Sequence, residues 1–306
     1  MKLNGIHHIS AITADAPGNV AFYTGVLGLR LVKKTVNQDD PTVYHLFYGD
    51  DEGSPGLDLT FFEYPRARRG TPGAGMVHRI AWRVGTPQAL DFWLRRLTDA
   101  GVAAEQAEGR LRFADPEGLA HEFLVDFSGD APLSADHPDI PPEVALRGFD
   151  GVRAYAADPE ASAMMLDAIL GFTRSQTDWQ SRGDRRGSTY TLDHASHAGR
   201  MGAGVVHHVA WSSTAEDHPG WHQRLVAAGT NASPVIDRFY FRSIYFNEPS
   251  GVLFEIATEG PGFAVDEPLE SLGERLSLPP RFEPLREQLE EALTPLPNPR
   301  AGAEHR

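Results

Sequence analysis

The chain has 306 residues, no cysteine and a formal net charge of −14; the length suggests two domains, and the cysteine count excludes disulfides, thiolate metal sites and a cysteine nucleophile. The acidic balance, with no basic patch, argues against nucleic acid or an anionic membrane surface as a partner. No apolar run approaches the ~20 residues of a membrane span and MKLNGIHHIS lacks the apolar core of a signal peptide, so a cytoplasmic protein is expected, with any metal held by His, Asp and Glu.

In chain order, GIHHISAITAD (5–15) is a predicted strand. APGNVAFYTGVLGLR follows as a helix, with apolar Val20, Phe22, Tyr23, Val26 and Leu27 and a stop at Gly28. TVYHLFYGD and GLDLTFFEYP are strands, with Tyr44 and His45 as ordinary strand residues. A second unit runs from VHRIAWRV (77–84) through a helical stretch to RFADPEGLAHEFLV (112–125). SGDAPLSADHPDIPPE (128–143) is an exposed linker. LRGFDGVRAYAAD (146–158), a helix near 159–170 and STYTLDHA (188–195) make a third unit. VHHVAWSS (206–213), another helix and YFNEPSGVLFEIAT (245–258) make a fourth. His194, His197, His218 and His222 sit in polar or helical context and are expected to be exposed. RFEPLREQLEEAL (281–293) is a short amphipathic helix, and the tail 295–306 is expected to be mobile.

The chain is therefore four βαβββ modules, near 5–65, 75–127, 146–198 and 204–259. The fold class is α+β, with the modules curling pairwise into half-barrels. The expected domains are 1–130 and 146–306, joined by a linker at 131–145, with a helical C-terminal tail. Self-similarity supplies an internal control. His208 aligns with Arg79 and His8, the third module offers GFDGV with no histidine, and Glu255 aligns with Glu122. An arginine cannot ligate a metal, so an Arg79–Glu122 ion pair is expected in module 2. Modules 1 and 4 together offer His8, His208 and Glu255, and are expected to pack around one site. Two imidazoles and one carboxylate form the facial triad that suits non-haem iron(II) and leaves positions open. Strand alternation does not settle which histidine of each pair faces a metal; the match to Arg79 marks the second.

HHIS, GLRLVKKTVNQDD, YHLFYGDDEGSPG, VHHVAW, DRFYFRSIYFNEPSGVLFE and GFAVDEPLESLGERLSLPP together resemble the vicinal oxygen chelate superfamily, and within it the hydroquinone ring-cleaving dioxygenases such as those acting on 2,6-dichlorohydroquinone. The resemblance implies a non-haem Fe(II) dioxygenase of the extradiol type, with Mn(II) as the other metal to consider. A small aromatic substrate and O₂ would be its partners, and a homo-oligomer is allowed. It implies His8, His208 and Glu255 as iron ligands and Tyr245 as an acid/base tyrosine. His7 and His207 would be pocket histidines that move protons, and Arg238 and Ser10 would contact substrate. The spacing of DRFYFRSIY leaves Arg242 as the alternative to Arg238, and Ser10 stands where a relative has Thr. Two other readings share the fold: a metal-dependent glyoxalase-type isomerase or lyase, and a metal-free small-molecule binding protein. The first needs a carboxylate from both paired modules, and Glu63 does not align convincingly with Glu255.

Overall fold

The computed structural model describes residues 1–176 and 178–300. Four modules of βαβββ order are present. Module 1 holds β1 (Ile6–Thr13), α1 (Ala16–Val20), β2 (Arg30–Val36), β3 (Tyr44–Gly49) and β4 (Asp58–Glu63). The Asp15 side chain caps α1 by accepting from the Gly18 amide, with proline in the first turn. A π-helical turn carries the chain on to Val26, and it leaves the helix through Gly28 at φ +70°. Module 2 holds β5 (Met76–Val84), α2 (Pro87–Asp99), β6 (Ala104–Ala107), β7 (Arg110–Ala114) and β8 (Ala120–Val125). Module 3 holds β9 (Leu146–Ala156), short helical turns between Pro159 and Ile169, β10 (Thr173–Ser175), β11 (Asp178–Arg182) and β12 (Gly187–His194). Module 4 holds β13 (Val205–Ser213), α3 (His218–Ala227), β14 (Ile236–Asp237), β15 (Arg242–Asn247) and β16 (Leu253–Thr258).

These strands form two eight-stranded sheets, in the orders β14-β15-β16-β13-β1-β4-β3-β2 and β10-β11-β12-β9-β5-β8-β7-β6. In each module the first strand pairs in parallel with the last. Its other edge would be a row of unpaired amides and carbonyls. The first strand of another module covers it, antiparallel: β1 with β13, and β5 with β9. One sheet thus joins modules 1 and 4, and the other joins modules 2 and 3. Trp82 and Trp211 on the central strands and Trp93 and Trp221 on α2 and α3 are fully buried. Alternation sends the neighbouring Ala81 and Ala210 to the opposite face, where the chemistry lies.

The linker keeps Ile140 buried and sends Asp130 to Arg83 at 2.7 Å. After β16 the chain returns over module 1. There Lys33, fully buried, bonds Asp266 Oδ1 at 2.7 Å and the Phe263 carbonyl at 3.1 Å and pairs with Glu267. The expected helix over 281–293 is α4 (Arg286–Ala292), preceded by a 3₁₀ turn at Glu283–Leu285, where Pro284 cannot donate an amide bond. Of the tail 295–306, Leu296 packs against the core and 301–306 lie outside the described residues. His218, expected to be exposed, is 2 % exposed, because its Nε2–H donates to the Ile256 carbonyl at 2.9 Å. No described helix is long and apolar enough to cross a membrane.

Candidate metal centre

The central pair of the first sheet is irregular at both doubled histidines. Ile6 faces Trp211 and His8 faces Ala210, which leaves His7 as an extra residue. Ser10 faces His208 and Ala11 faces Val206, which leaves His207 extra. Each is a β-bulge, which re-aims side chains and breaks strict alternation. Consecutive histidines therefore lie side by side: the Nδ1 atoms of His7 and His8 are 3.0 Å apart, and those of His207 and His208 are 2.8 Å apart.

The contacts of the first pair fix its protons. His7 Nε2 lies 3.1 Å from the Thr258 carbonyl, so Nε2 donates and Nδ1 is left to accept. His8 then donates from Nδ1, and its Nε2 carries a bare lone pair. His208 Nδ1 faces His207 Nδ1 at the second bulge, and a His207 that accepts there leaves His208 Nε2 free as well. The two free nitrogens are 3.3 Å apart. Glu255 Oε2 stands 3.3 Å from His8 Nε2 and 3.0 Å from His208 Nε2. Glu255 is wholly buried; Ser243 Oγ donates to its Oε1 at 2.5 Å, while Oε2 has no hydrogen-bond partner. Burial opposes a charge on Glu255, but positive charge on the His8 and His208 side outweighs burial and holds the carboxyl well below its ordinary range, so the carboxylate calls for a cation or a proton at that point. Burial, with the adjoining ligand-side imidazole, lowers His7 to about 3 and His207 to about 4, so both are neutral acceptors.

Two imidazole nitrogens and a carboxylate oxygen, all within 4.8 Å of one another, converge on one point. An orphaned buried carboxylate oxygen is costly, and a divalent cation at that point would satisfy all three atoms. The point opens into a cavity of about 270 Å³ whose wall includes His8, His45, Phe62, His207, Arg238 and Tyr245. Arg238 Nε donates to Tyr245 Oη at 3.3 Å, and Nη1 pairs with Asp39 at 2.9 Å. Burial works against the Arg238 charge, yet Asp39 and Tyr245 more than restore it. Burial, and then Glu255, push the Tyr245 hydroxyl far up, so it keeps its proton.

The model of the Glyoxalase/Bleomycin resistance protein/Dioxygenase superfamily matches residues 5–123. MhqA of Bacillus subtilis strain 168, provisionally named a ring-cleaving dioxygenase, is 40 % identical over 97 % of this chain and 100 % of its own length. The chain belongs to the glyoxalase/bleomycin resistance/dioxygenase superfamily. The chlorohydroquinone/hydroquinone 1,2-dioxygenase of Sphingobium indicum is 30 % identical, covering 94 % of this chain and 95 % of that one. A crystal structure from Bacillus subtilis, described provisionally as a dioxygenase, superposes with a TM-score of 0.88 at 39 % identity, over 96 % of this chain and 98 % of that one. The two curled sheets are the superfamily's vicinal oxygen chelate fold.

Within this superfamily fold the two sheets compare position by position. Glu255 pairs with Ala210, which faces His8; Glu122 pairs with Ala81, which faces Gly151. The second sheet thus has Gly151 where the first has His8, and Arg79 where the first has His208. A Cβ at Gly151 would lie 2.0 Å from the Thr189 carbonyl oxygen, so no side chain fits. The expected Arg79–Glu122 pair is present at 3.7 Å, and Arg110 at 2.7 Å and Arg112 at 3.4 Å complete the neutralisation of Glu122.

The other singled-out residues fall in distinct places. Tyr245, Arg238 and His207 line the cavity. His7 lies behind His8 and outside the lining, where it orients the ring. Ser10 is fully buried, with its hydroxyl on Thr60 Oγ1 at 2.7 Å, and does not line the cavity. Arg242 is exposed and also lies outside the lining. His45 does line it, which its strand context did not reveal. The readable signal was its two-residue spacing from Phe47 on β3, which puts both on one face.

Proposed function

We propose that this chain is an iron(II)-dependent dioxygenase that opens hydroquinone-type aromatic rings with O₂. The observation that carries the reading is the convergence of His8 Nε2, His208 Nε2 and the orphaned Glu255 Oε2 at the floor of an open cavity. These three residues would hold the metal, with manganese(II) as the competing ion, and leave open positions for substrate and O₂. Bound iron(II) would supply a Lewis acid and a route for electrons from ring to O₂. Two neutral imidazoles and one carboxylate leave a net charge of +1, which a singly ionised phenol neutralises.

The side chains of the cavity then divide the remaining work. Arg238 supplies a fixed positive charge beside the substrate and orients the Tyr245 hydroxyl. Tyr245, held protonated, donates its proton to oxygen as the ring opens. His207, whose Nδ1 accepts from His208, presents its Nε2–H as a second proton carrier. Phe62 and Phe241 give the ring an apolar wall and exclude water. The partners in this reading are a small aromatic diol and O₂, in the cytoplasm. A glyoxalase-type reaction is disfavoured because Thr60 stands where a second carboxylate would come from. A metal-free binding protein would have no use for a buried carboxylate oxygen without a partner.

The test is O₂ uptake by iron-loaded protein, prepared without oxygen, on addition of methylhydroquinone, with the product mass determined. One O₂ consumed per ring opened is expected. Iron-loaded protein that consumes no O₂ with hydroquinone, methylhydroquinone or chlorohydroquinone would sink the reading.

A further inference from the structure

The pseudo-two-fold axis between β1 and β13 exchanges His8 with His208. It also exchanges Glu255, paired through Ala210, with Thr60, paired through Ser10. Where module 4 supplies a carboxylate, module 1 supplies a hydroxyl. That hydroxyl turns away from the donor set: Thr60 Oγ1 bonds Ser10 Oγ at 2.7 Å and His45 Nε2 at 2.9 Å.

Proton counting gives the chain a direction. Ser10 is fully buried, and Thr60 is its hydroxyl's one partner among the described residues. If His45 donated from Nε2 to Thr60, the Thr60 proton would pass to Ser10, and the Ser10 proton would have no acceptor. In the reverse order Ser10 donates to Thr60, Thr60 donates to His45 Nε2, and every buried proton is satisfied. The neutral ring then carries its own proton on Nδ1. That atom has no partner among the described residues and is not sealed from solvent, and His45 lines the cavity. Phe47 and Phe62 pack against the ring, with centroids 4.0 Å and 4.2 Å away. Burial keeps this imidazole uncharged.

The geometry points to His45 as a substrate-binding residue, its Nδ1–H donating to a second oxygen on the aromatic ring whose first hydroxyl lies at the metal centre. This rests on the function proposed above and deepens it. The Ser10–Thr60–His45 chain makes the site select dioxygenated rings over simple phenols. The slot that could have held a second metal-binding carboxylate holds a selectivity device instead.

The experiment is an anaerobic titration of iron-loaded protein with hydroquinone and, separately, with phenol, for the wild type, His45→Phe and Thr60→Val. The wild type is expected to prefer hydroquinone. His45→Phe keeps the aromatic packing and the phenol affinity but lowers the preference about three- to tenfold, the worth of one hydrogen bond. Thr60→Val lets the imidazole take either tautomer and lowers the preference by a smaller factor. Equal affinities in the wild type, or a preference unchanged in both variants, overturn the inference. If His45→Phe does not retain iron, Thr60→Val alone decides. O₂ uptake by the same wild-type preparation separates the two levels. Turnover with a preference indifferent to both variants removes the role of His45 and leaves the dioxygenase. A preference that depends on His45 without O₂ uptake does the opposite.

Discussion

Replacing His7 by Phe tests whether the first histidine of each pair acts through the second. His7 lies outside the lining of the cavity at the metal centre, and its role rests on two contacts, Nδ1 to His8 at 3.0 Å and Nε2 to the Thr258 carbonyl at 3.1 Å. Phenylalanine keeps the packing against Phe241, whose centroid is 5.3 Å from that of His7. It removes the acceptor for His8 Nδ1–H. The buried His8 ring is then free to carry its proton on Nε2, where a metal must displace it. Loss of such an orienting partner costs about 10- to 100-fold in metal affinity, or roughly 1.4–2.7 kcal/mol. The Thr258 carbonyl also loses a donor, worth about 1 kcal/mol to the fold with or without metal. The two effects separate in the assay: chelator competition under nitrogen reads iron affinity, and the melting of metal-free protein reads the fold. His7→Gln, whose amide oxygen can accept from His8, should recover part of the affinity. Iron affinity in His7→Phe within twofold of wild type, with the metal-free fold intact, would refute the tautomer argument.

The remaining predictions address the donor set, the proton donor and the silent sheet. Glu255→Gln replaces the orphaned anionic oxygen by an amide. It should retain the fold and lose iron by at least the same 10- to 100-fold, read as metal content after dialysis; stoichiometric iron with normal turnover would contradict the assignment. Tyr245→Phe should bind substrate and iron but turn over about 10²- to 10⁴-fold more slowly, and a change confined to KM with kcat intact would mark Tyr245 as a binding residue instead. Arg79→His should create no second metal site, because Gly151 has no room for the missing donor; a second equivalent of tightly held metal in elemental analysis would break the pseudo-symmetry argument.

Much of the fold was legible because the modules repeat. The aligned VHRIAWRV and VHHVAWSS mark first strands, and the Pro-x-Gly turns mark the entry to last strands. The pairing of module 1 with module 4 was legible for a chemical reason: Arg79 and the GFDGV stretch disqualify the modules between them. Other features depend on contacts that no local pattern encodes. Lys33 reads as a polar strand residue and is buried only because Asp266, 233 residues later, returns over β2. His218 sits in a polar run and is buried because α3 docks its ring on the Ile256 carbonyl. His45 reads as one more strand residue until Thr60 on the next strand takes its Nε2.

The doubled histidines show the limit most clearly. A regular strand would send His7 and His8 to opposite faces, and on that rule one of each pair has no part in the site. The bulges remove the rule, and they are not confined to this sheet. In the second sheet Val77 faces Ala154 and Arg79 faces Arg153, leaving His78 extra, while Ala81 faces Gly151 and Trp82 faces Phe149, leaving Asp150 extra. All four modules therefore carry the same irregularity at the same place. It belongs to the architecture, which needs it to curl the two central strands around each other, and not to the metal chemistry. What distinguishes the first sheet is the residue after the bulge: an imidazole, from whose ring the bulged histidine can accept. His78, on the equivalent bulge, spends its Nε2 on Asp193 at 2.8 Å and stacks on Tyr155, because its neighbour Arg79 has no proton placement to be fixed. A backbone feature present in every module thus became an orienting device in the two modules that also carry an imidazole one residue later.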